Sequence, residues 1–291
     1  MRNLNDIFIL NETNQNSWQL DVAVEGLIDG DSSSVYDHLI SLLYEEVSKI
    51  NNYTKMPTSL FRFSGLPVLK DGTKPVINDI VNGALSFARP KVFNDPLDPI
   101  LREWMKLKEK NSVSKQDKRL FRYLKNSLEN LRICCLSREG DSIQLNPLMW
   151  AHYADKHKGI CIEYEITKDM LDAYNDNSQV MRICDVRYLG HKVMNDFITL
   201  DNALLAKGSP WKYEEETRLL YYEKSDVAET RQSSNYKSLG GFRIKSIYFG
   251  YRLIEKDRSE IIKATKGKSI TLYQMRFDNA DLTKMVAERV K

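Results

Sequence analysis

The clearest pattern in the chain is RICCLSREGDSIQLNPLMWAHYADKHKGICIEYEI, residues 132–166. An apolar run that ends in Cys-Leu-Ser-Arg predicts a buried strand, and the apolar run closing at Ile166 predicts a second one. Between them lie a loop and a short segment rich in Trp, His and Tyr, which predicts a helix. Because strand ends often deliver polar side chains into clefts, the stretch is also a candidate wall of a functional site.

The composition is that of an ordinary soluble globular protein. Of 291 residues, 42% are hydrophobic and 29% are charged, and the net charge is only +3, so no whole-molecule field favours nucleic acid or a membrane. The N-terminus lacks the pattern of a cleaved leader, and no run of about 18 apolar residues is present. We therefore expect a cytoplasmic protein with no membrane partner.

The cysteines and histidines do not have metal-site spacing. All four cysteines lie in apolar, strand-like runs, which predicts buried reduced thiols. They are Cys134, Cys135, Cys161 and Cys184. His152 and His157 are five residues apart, a spacing that does not align two side chains on one helix face. The sequence therefore predicts no metal site.

The pattern of elements divides the chain in two. Residues 1–56 are predicted to form an N-terminal extension whose docking helix ends near Ile50, and residues 57–291 a single main domain. In that domain, strands and helices interleave without a regular βαβ rhythm, and no Gly-rich phosphate loop is present. This predicts an α+β fold, with a mixed, largely antiparallel central sheet flanked by helices.

Several local predictions bear on the site. A strand at residues 60–64 would place Arg62 and Ser64 on the face opposite Phe61 and Phe63. Residues 76–82 predict a helix ended by Gly83, residues 191–207 a second helix, residues 211–222 a strand, and residues 223–239 a loop.

These blocks together resemble a bacterial family catalogued as domain of unknown function 2971. The matching blocks are residues 60–64, 93–96, 148–155, 159–160 and 211–214, with Glu216 and Arg218. Thr217 departs from the pattern, since members commonly have a further aromatic residue there. The resemblance implies a cytoplasmic bacterial protein of a family often suspected of roles in phage defence, and it brings no established activity.

A second resemblance is to ADP-ribosyltransferases of the Arg-Ser-Glu type. It is carried by Arg62, Ser137 and the Glu214-x-Glu216 pair, in that order. The resemblance implies an ADP-ribosyltransferase-like fold with NAD as substrate. A guanidinium matches a pyrophosphate, a serine hydroxyl can fix the last carboxylate, and that carboxylate can stabilise positive charge as nicotinamide leaves. Glu214 would orient or deprotonate the acceptor, a protein or a nucleic acid.

Further candidates extend this NAD site, and each also has a structural interpretation. The additional predicted cofactor-binding residues are Ser64, Asn94, His152, Tyr153 and Arg218. Arg62 could instead pair with a buried carboxylate, Glu216 or Asp95, and Arg218 could simply neutralise Glu216. Ser137 could form a turn.

Three classes of function remain open from the sequence. The first is an NAD-consuming transferase or glycohydrolase, with a homo-oligomer or a regulatory partner as further expectations. The second is a non-catalytic sensor or binding subunit with the same polar network. The third is a metal-dependent nuclease whose hard cation would use several carboxylates. These would be Asp95, Glu163, Glu165, Glu214 and Glu216.

Overall fold

The computed structural model describes residues 41, 43–45, 47–50, 56–93, 128–138, 142–189, 204–224, 234–281 and 283–290. Residues 41, 43–45 and 47–49 are helical, as the pattern before Ile50 predicts. The predictions for Asn94 and Asp95, and for most of the helix predicted over 191–207, lie outside the described residues.

The described elements alternate along the chain without a βαβ rhythm. The strands are β1 (Ser59–Ser64), β2 (Leu85–Ala88), β3 (Leu131–Arg138), β4 (Ile160–Glu165), β5 (Gln179–Asp185), β6 (Arg187–Leu189), β7 (Ala206–Gly208), β8 (Glu216–Glu223), β9 (Tyr236–Leu239), β10 (Arg243–Phe249), β11 (Thr271–Phe277) and β12 (Met285–Arg289). The α-helices are α1 (Pro75–Asn82), α2 (Pro147–Tyr153), α3 (Lys168–Asp172) and α4 (Glu255–Thr265).

Ten of these strands form one open sheet that is organised around β3. The order along its main path is β12-β11-β10-β4-β1-β3-β2-β9, and β8 and β5 extend from the other edge of β3. Only the pairing of β10 with β11 is parallel in this described sheet. The α+β class and the mixed, largely antiparallel sheet are thereby confirmed.

Strand β3 has one continuous partner and two partial ones. Strand β8 pairs with it from Leu131 to Ser137. On the opposite edge, β1 pairs at Ser137 and Arg138, whereas β2 pairs at Ile133. The edge therefore forks: residues 134–136 lie between the two partial partners, and β1 and β2 diverge there.

The two faces of the sheet have separate cores, as the period of two along a strand requires. Leu60, Leu136 and Ile162 pack on one face with the apolar residues of α1, α3 and α4. Phe61 and Cys161 face the other way, where Trp150 of α2 fills the layer. Helix α2 thus covers the face opposite α1.

The connection between α2 and β4 fixes the helix at the end of β1. Asp155, Lys156 and His157 all have positive φ, at 45°, 54° and 69°, which non-glycine residues adopt only where the surrounding structure enforces it. Gly159 follows at a close approach of two backbones: a Cβ there would lie 2.1 Å from the carbonyl oxygen of Ser64. Only glycine fits that position.

Several boundaries differ from the predictions. Residues 179–189 form two strands rather than one, with Val186 between them, and 236–239 form strand β9 rather than a loop. Ala206–Gly208 is a short strand where a helix was predicted to end, because it pairs with β6. The predicted helix ended by Gly83 is confirmed, with Gly83 at φ 58°. Among the described residues, no helix is long and apolar enough to cross a membrane.

Candidate functional site

A cavity of about 720 Å³ opens at the fork in β3. Its volume lies within the usual range for small-molecule sites. Six of the nine predicted site residues line it: Arg62, Ser137, His152, Tyr153, Glu214 and Glu216. The structure thus brings together residues that are separated by up to 154 positions in the sequence, since 216 minus 62 is 154.

Strand register explains why these residues meet. Phe61 pairs with Ser137, and Ser137 pairs with Glu216. The side chains of these three residues therefore form one row across β1, β3 and β8. Arg62 follows Phe61 at the point where β1 leaves β3. Ser137 lies within β3 and pairs with both neighbours, so its predicted place in a turn is wrong.

Glu214 and Glu216 are brought together by a lysine rather than by a shared strand. Residues 209–214 form a 3-10 helix and Glu215 has φ 45°, so β8 begins only at Glu216. The predicted strand from residue 211 is therefore wrong over its first five residues. Both carboxylates instead contact the ammonium group of Lys207, which lies 2.8 Å from Oε2 of Glu216 and also donates to Glu214.

Glu216 is an ionised carboxylate between two cations. Nε of Arg218 lies 2.7 Å from its Oε1, and Nη2 lies 3.3 Å from its Oε2. Burial alone would raise the pKa of Glu216, but the charges of Arg218 and Lys207 outweigh burial and lower the pKa to about 2. The interpretation that Arg218 neutralises Glu216 is confirmed.

Glu214 has the opposite electrostatic character. Burial raises its pKa above the usual value, although Lys207 and a hydrogen bond from Tyr153 act to lower it. The Tyr153 hydroxyl donates to Oε1 of Glu214, and burial followed by this contact raises the pKa of Tyr153. Tyr153 therefore stays protonated, and Glu214 is the better proton acceptor of the two carboxylates.

Arg62 lies on the other side of β1 from the carboxylates of Glu214 and Glu216, and the predicted alternative partner Asp95 lies outside the described residues. Its Nη1 donates to the carbonyl of Ser86 at 3.0 Å and lies 3.9 Å from Oδ2 of Asp79 on α1. The predicted pairing with Glu216 is wrong, because Glu216 shares the face of Phe61 and not that of Arg62. The Arg62 side chain keeps 24% of its surface exposed, so it is open to the cavity that it lines.

Cys135 departs from the prediction for the cysteines. Cys134, Cys161 and Cys184 are buried as predicted, but Cys135 is exposed and lines the cavity. Alternation along β3 places Cys134 against the core of α1, so Cys135 points with Ser137 to the opposite side. Cys135 also hydrogen-bonds Glu216.

The remaining predicted residues have other positions. The Ser64 hydroxyl donates to the carbonyl of Gly65 at 2.8 Å, and Ser64 lies outside the described cavity lining. Arg218, also predicted to bind the cofactor, is fully buried and is not part of the described lining. Asn94 lies outside the described residues.

The carboxylates predicted for a metal-dependent nuclease are dispersed. Glu163 lies 2.8 Å from Lys245, and Glu165 lies 2.9 Å from Arg243, both away from the described cavity lining. Within the described ranges, no group of three or more His, Cys, Asp or Glu side chains is placed to hold a metal ion. At the cavity itself, the space between Glu214 and Glu216 is filled by the lysine ammonium.

Among the residues that sequence reasoning missed are Lys207 and Trp211, which line the cavity, and Asp79, which contacts Arg62. Lys207 follows the apolar run Leu204–Ala206, and Asp79 directly precedes the apolar residues Ile80 and Val81. A charged side chain in such a setting is buried only with partners, and that signal could have identified both.

The comparisons with known proteins agree with the family resemblance. Residues 149–219 match the family described as protein of unknown function (DUF2971), which confirms over that stretch the resemblance inferred from the sequence. The matched stretch includes residues 149–153 of α2, Lys207 and both cavity carboxylates. A comparison with curated proteins found no match, and neither did a comparison with solved structures.

Proposed function

We propose that the cavity binds NAD and breaks the bond between nicotinamide and ribose, with ADP-ribose passing to an acceptor or to water. One observation carries this proposal: Arg62, Ser137, Glu214 and Glu216 line a single cavity. They are the residues through which the sequence resembles ADP-ribosyltransferases. The cavity volume of about 720 Å³ suits a ligand of nucleotide size.

Each charged group suits a distinct part of this chemistry. The exposed part of the Arg62 guanidinium can bind the pyrophosphate, because its 3.9 Å contact with Asp79 is long for an ion pair. Glu216 is held as an anion by Arg218 and Lys207. It would stabilise the positive charge that develops on the ribose.

The raised pKa of Glu214 makes this carboxylate the group that accepts the proton of the reaction. The carbon–nitrogen bond to nicotinamide breaks and its electron pair leaves with nicotinamide. A lone pair of the acceptor then forms the new bond to the same carbon. The acceptor loses its proton to Glu214, whose pKa is raised by burial.

A second candidate function is supported by the charge balance of the same cluster. The two carboxylates and the cations of Lys207 and Arg218 contact one another and sum to zero. Such a network can maintain a binding pocket without turnover. A non-catalytic sensor or binding subunit would use the cavity in that way.

Turnover of NAD by the full chain distinguishes these functions. We expect nicotinamide release that chelator leaves unchanged and that Glu216→Gln reduces at least about 100-fold, as for loss of one electrostatic stabiliser. The matched control is Glu163→Gln, which removes another buried, lysine-paired carboxylate outside the lining. If NAD binds but neither protein releases nicotinamide, the binding function is supported; activity on nucleic acid that chelator removes would favour a nuclease.

A role in phage defence belongs to the same proposal and has its own test. Cells that carry the wild-type chain should lose NAD after infection, whereas cells that carry Glu216→Gln should not. If infected cells were protected while their NAD level stayed unchanged with either chain, the proposed role in phage defence would be contradicted.

A further inference from the structure

Aromatic rings form part of the cavity lining, and we refer to this part as the mouth of the cavity. Trp211 and His152 line it and contact each other edge to face, with ring centroids 6.5 Å apart. Tyr213 lies 6.2 Å from each of them and extends the ring surface beyond the lining. Together the three adjoining rings form a surface that is larger than one aromatic ring of a ligand would cover.

A further aromatic ring, that of Tyr236, lies beyond the edge of β3 that does not pair with β8. Tyr236 belongs to β9, which reaches β3 through β2, whereas Trp211 lies in the 3-10 helix that leads into β8 on the other edge. Tyr236 lines the cavity and yet keeps 60% of its surface exposed. An exposed aromatic ring that borders a cavity has unused stacking surface.

Positive charge accompanies these rings. Lys212 is exposed between Trp211 and Tyr213 in the sequence. The ammonium group of Lys207 lies 5.4 Å from the centre of the Trp211 ring. This cation–π contact helps to hold the ring in its position. Aromatic rings beside an exposed cation, here Lys212, form a combination that can bind single-stranded nucleic acid through its bases and phosphates.

We infer that the acceptor at this mouth is a base of a single-stranded nucleic acid, an inference that rests on the proposed function. A base stacked on Trp211 would lie beside Tyr213 and Glu214, which are consecutive in the chain. A nitrogen or oxygen of the base would form the bond to the ribose carbon, nicotinamide would leave with the electron pair, and Glu214 would take the proton. In a duplex the base is stacked and paired and would first have to be flipped out of the helix at an energetic cost, so a single strand is the favoured substrate.

Binding without NAD tests the inference independently of catalysis. The probe is a fluorescently labelled single strand of about 12 nucleotides, within the site sizes of such surfaces, and the readout is anisotropy with the full chain. We expect Trp211→Ala and Tyr236→Ala each to weaken binding roughly 5- to 150-fold. The matched control is Tyr251→Ala, which removes a tyrosine that is 50% exposed outside the described lining and should leave binding unchanged.

Transfer of label then separates this inference from the proposed function. With NAD labelled in its adenylate half, we expect label on the single strand and not on a duplex or on added protein. Nicotinamide release with label on protein alone would overturn the nucleobase acceptor and leave the proposed function intact. Strand binding without nicotinamide release would overturn the proposed function, and binding equally weakened by Tyr251→Ala would overturn the aromatic surface.

Discussion

The ammonium group of Lys207 lies 2.8 Å from Oε2 of Glu216. Lys207 belongs to the short strand β7 and Glu216 opens β8, so this contact joins the two ends of the connecting 3-10 helix. The same ammonium group also donates a hydrogen bond to the carboxylate of Glu214. It therefore holds both carboxylates against the cavity, and its removal is the most direct perturbation of the site.

Lys207→Met should destabilise the protein strongly. The substitution leaves two buried carboxylates with the single cation of Arg218, and breaking a buried ion pair in this way costs about 3–5 kcal/mol. Denaturant unfolding measures the loss in the free energy of unfolding. Lys284→Met is the control: its side chain is 72% exposed, so its loss should be below about 1 kcal/mol. Equal effects of the two substitutions would contradict a structural role of the cluster.

The contribution of Glu216 to stability should depend on pH. Its pKa is lowered from 4.5 to about 2 in the folded protein, so it stabilises the fold fully above the unfolded value and loses that contribution as pH falls from about 5 towards 2. The difference in unfolding free energy between wild type and Glu216→Gln should therefore be constant from pH 6 to 8 and narrow below about pH 5. A difference that is unchanged down to pH 3 would show that Glu216 is not held ionised.

Tyr153→Phe should shift the pH dependence of the proposed activity. The hydroxyl of Tyr153 is one of the groups that lower the pKa of Glu214, so its removal raises that pKa further. Because Glu214 must be ionised to accept a proton, the acidic limb of the pH–rate profile should move to higher pH. Stability should also fall by about 1.5–3 kcal/mol, as for a hydrogen bond to a charged group.

A matched control separates the two effects of Tyr153→Phe. Tyr248→Phe removes another buried hydroxyl, one that donates to Glu163 at 3.3 Å outside the described lining. It should lower stability and leave the pH–rate profile in place. If the acidic limb of the pH–rate profile moved in both variants, the limb would not reflect the ionisation of Glu214.

Cys135 should be the one described thiol that reacts in the native state. The other three are buried, so a thiol reagent should modify one cysteine in the folded chain and four after denaturation. Mass spectrometry of peptides identifies the site. If NAD occupies the cavity, saturating NAD should slow this modification several-fold, whereas modification at Cys134 or Cys161 would contradict the described packing.

Gly159→Ala should disturb the junction between α2 and β4. The added Cβ would lie 2.1 Å from a backbone oxygen, and that overlap must be relieved by moving β1 or β4. We expect a loss of about 3 kcal/mol or more, the upper part of the range for overpacking. Gly240→Ala is the control, because nothing lies within 4 Å of its Cβ position.

The sequence pattern predicted those parts of the fold and site that depend on local periodicity. Strand alternation placed Arg62 opposite Phe61, and apolar runs located β3 and β4. Asp79 could not be assigned as the partner of Arg62, because that contact depends on where α1 packs across the sheet. Glu214 and Glu216 were predicted on one face of a strand, but the left-handed Glu215 breaks that strand, and a lysine brings the carboxylates together.

The forked edge of β3 also bears on how far this site can tolerate sequence change. Residues 134–136 lie between the pairing positions of β1 and β2, so their peptide groups border the cavity at a gap in the sheet. Peptide groups are the same whichever side chain they carry. A substitution at Cys135, whose side chain is exposed at the cavity, would therefore change the side-chain wall of the site while the main-chain groups at the gap stay the same.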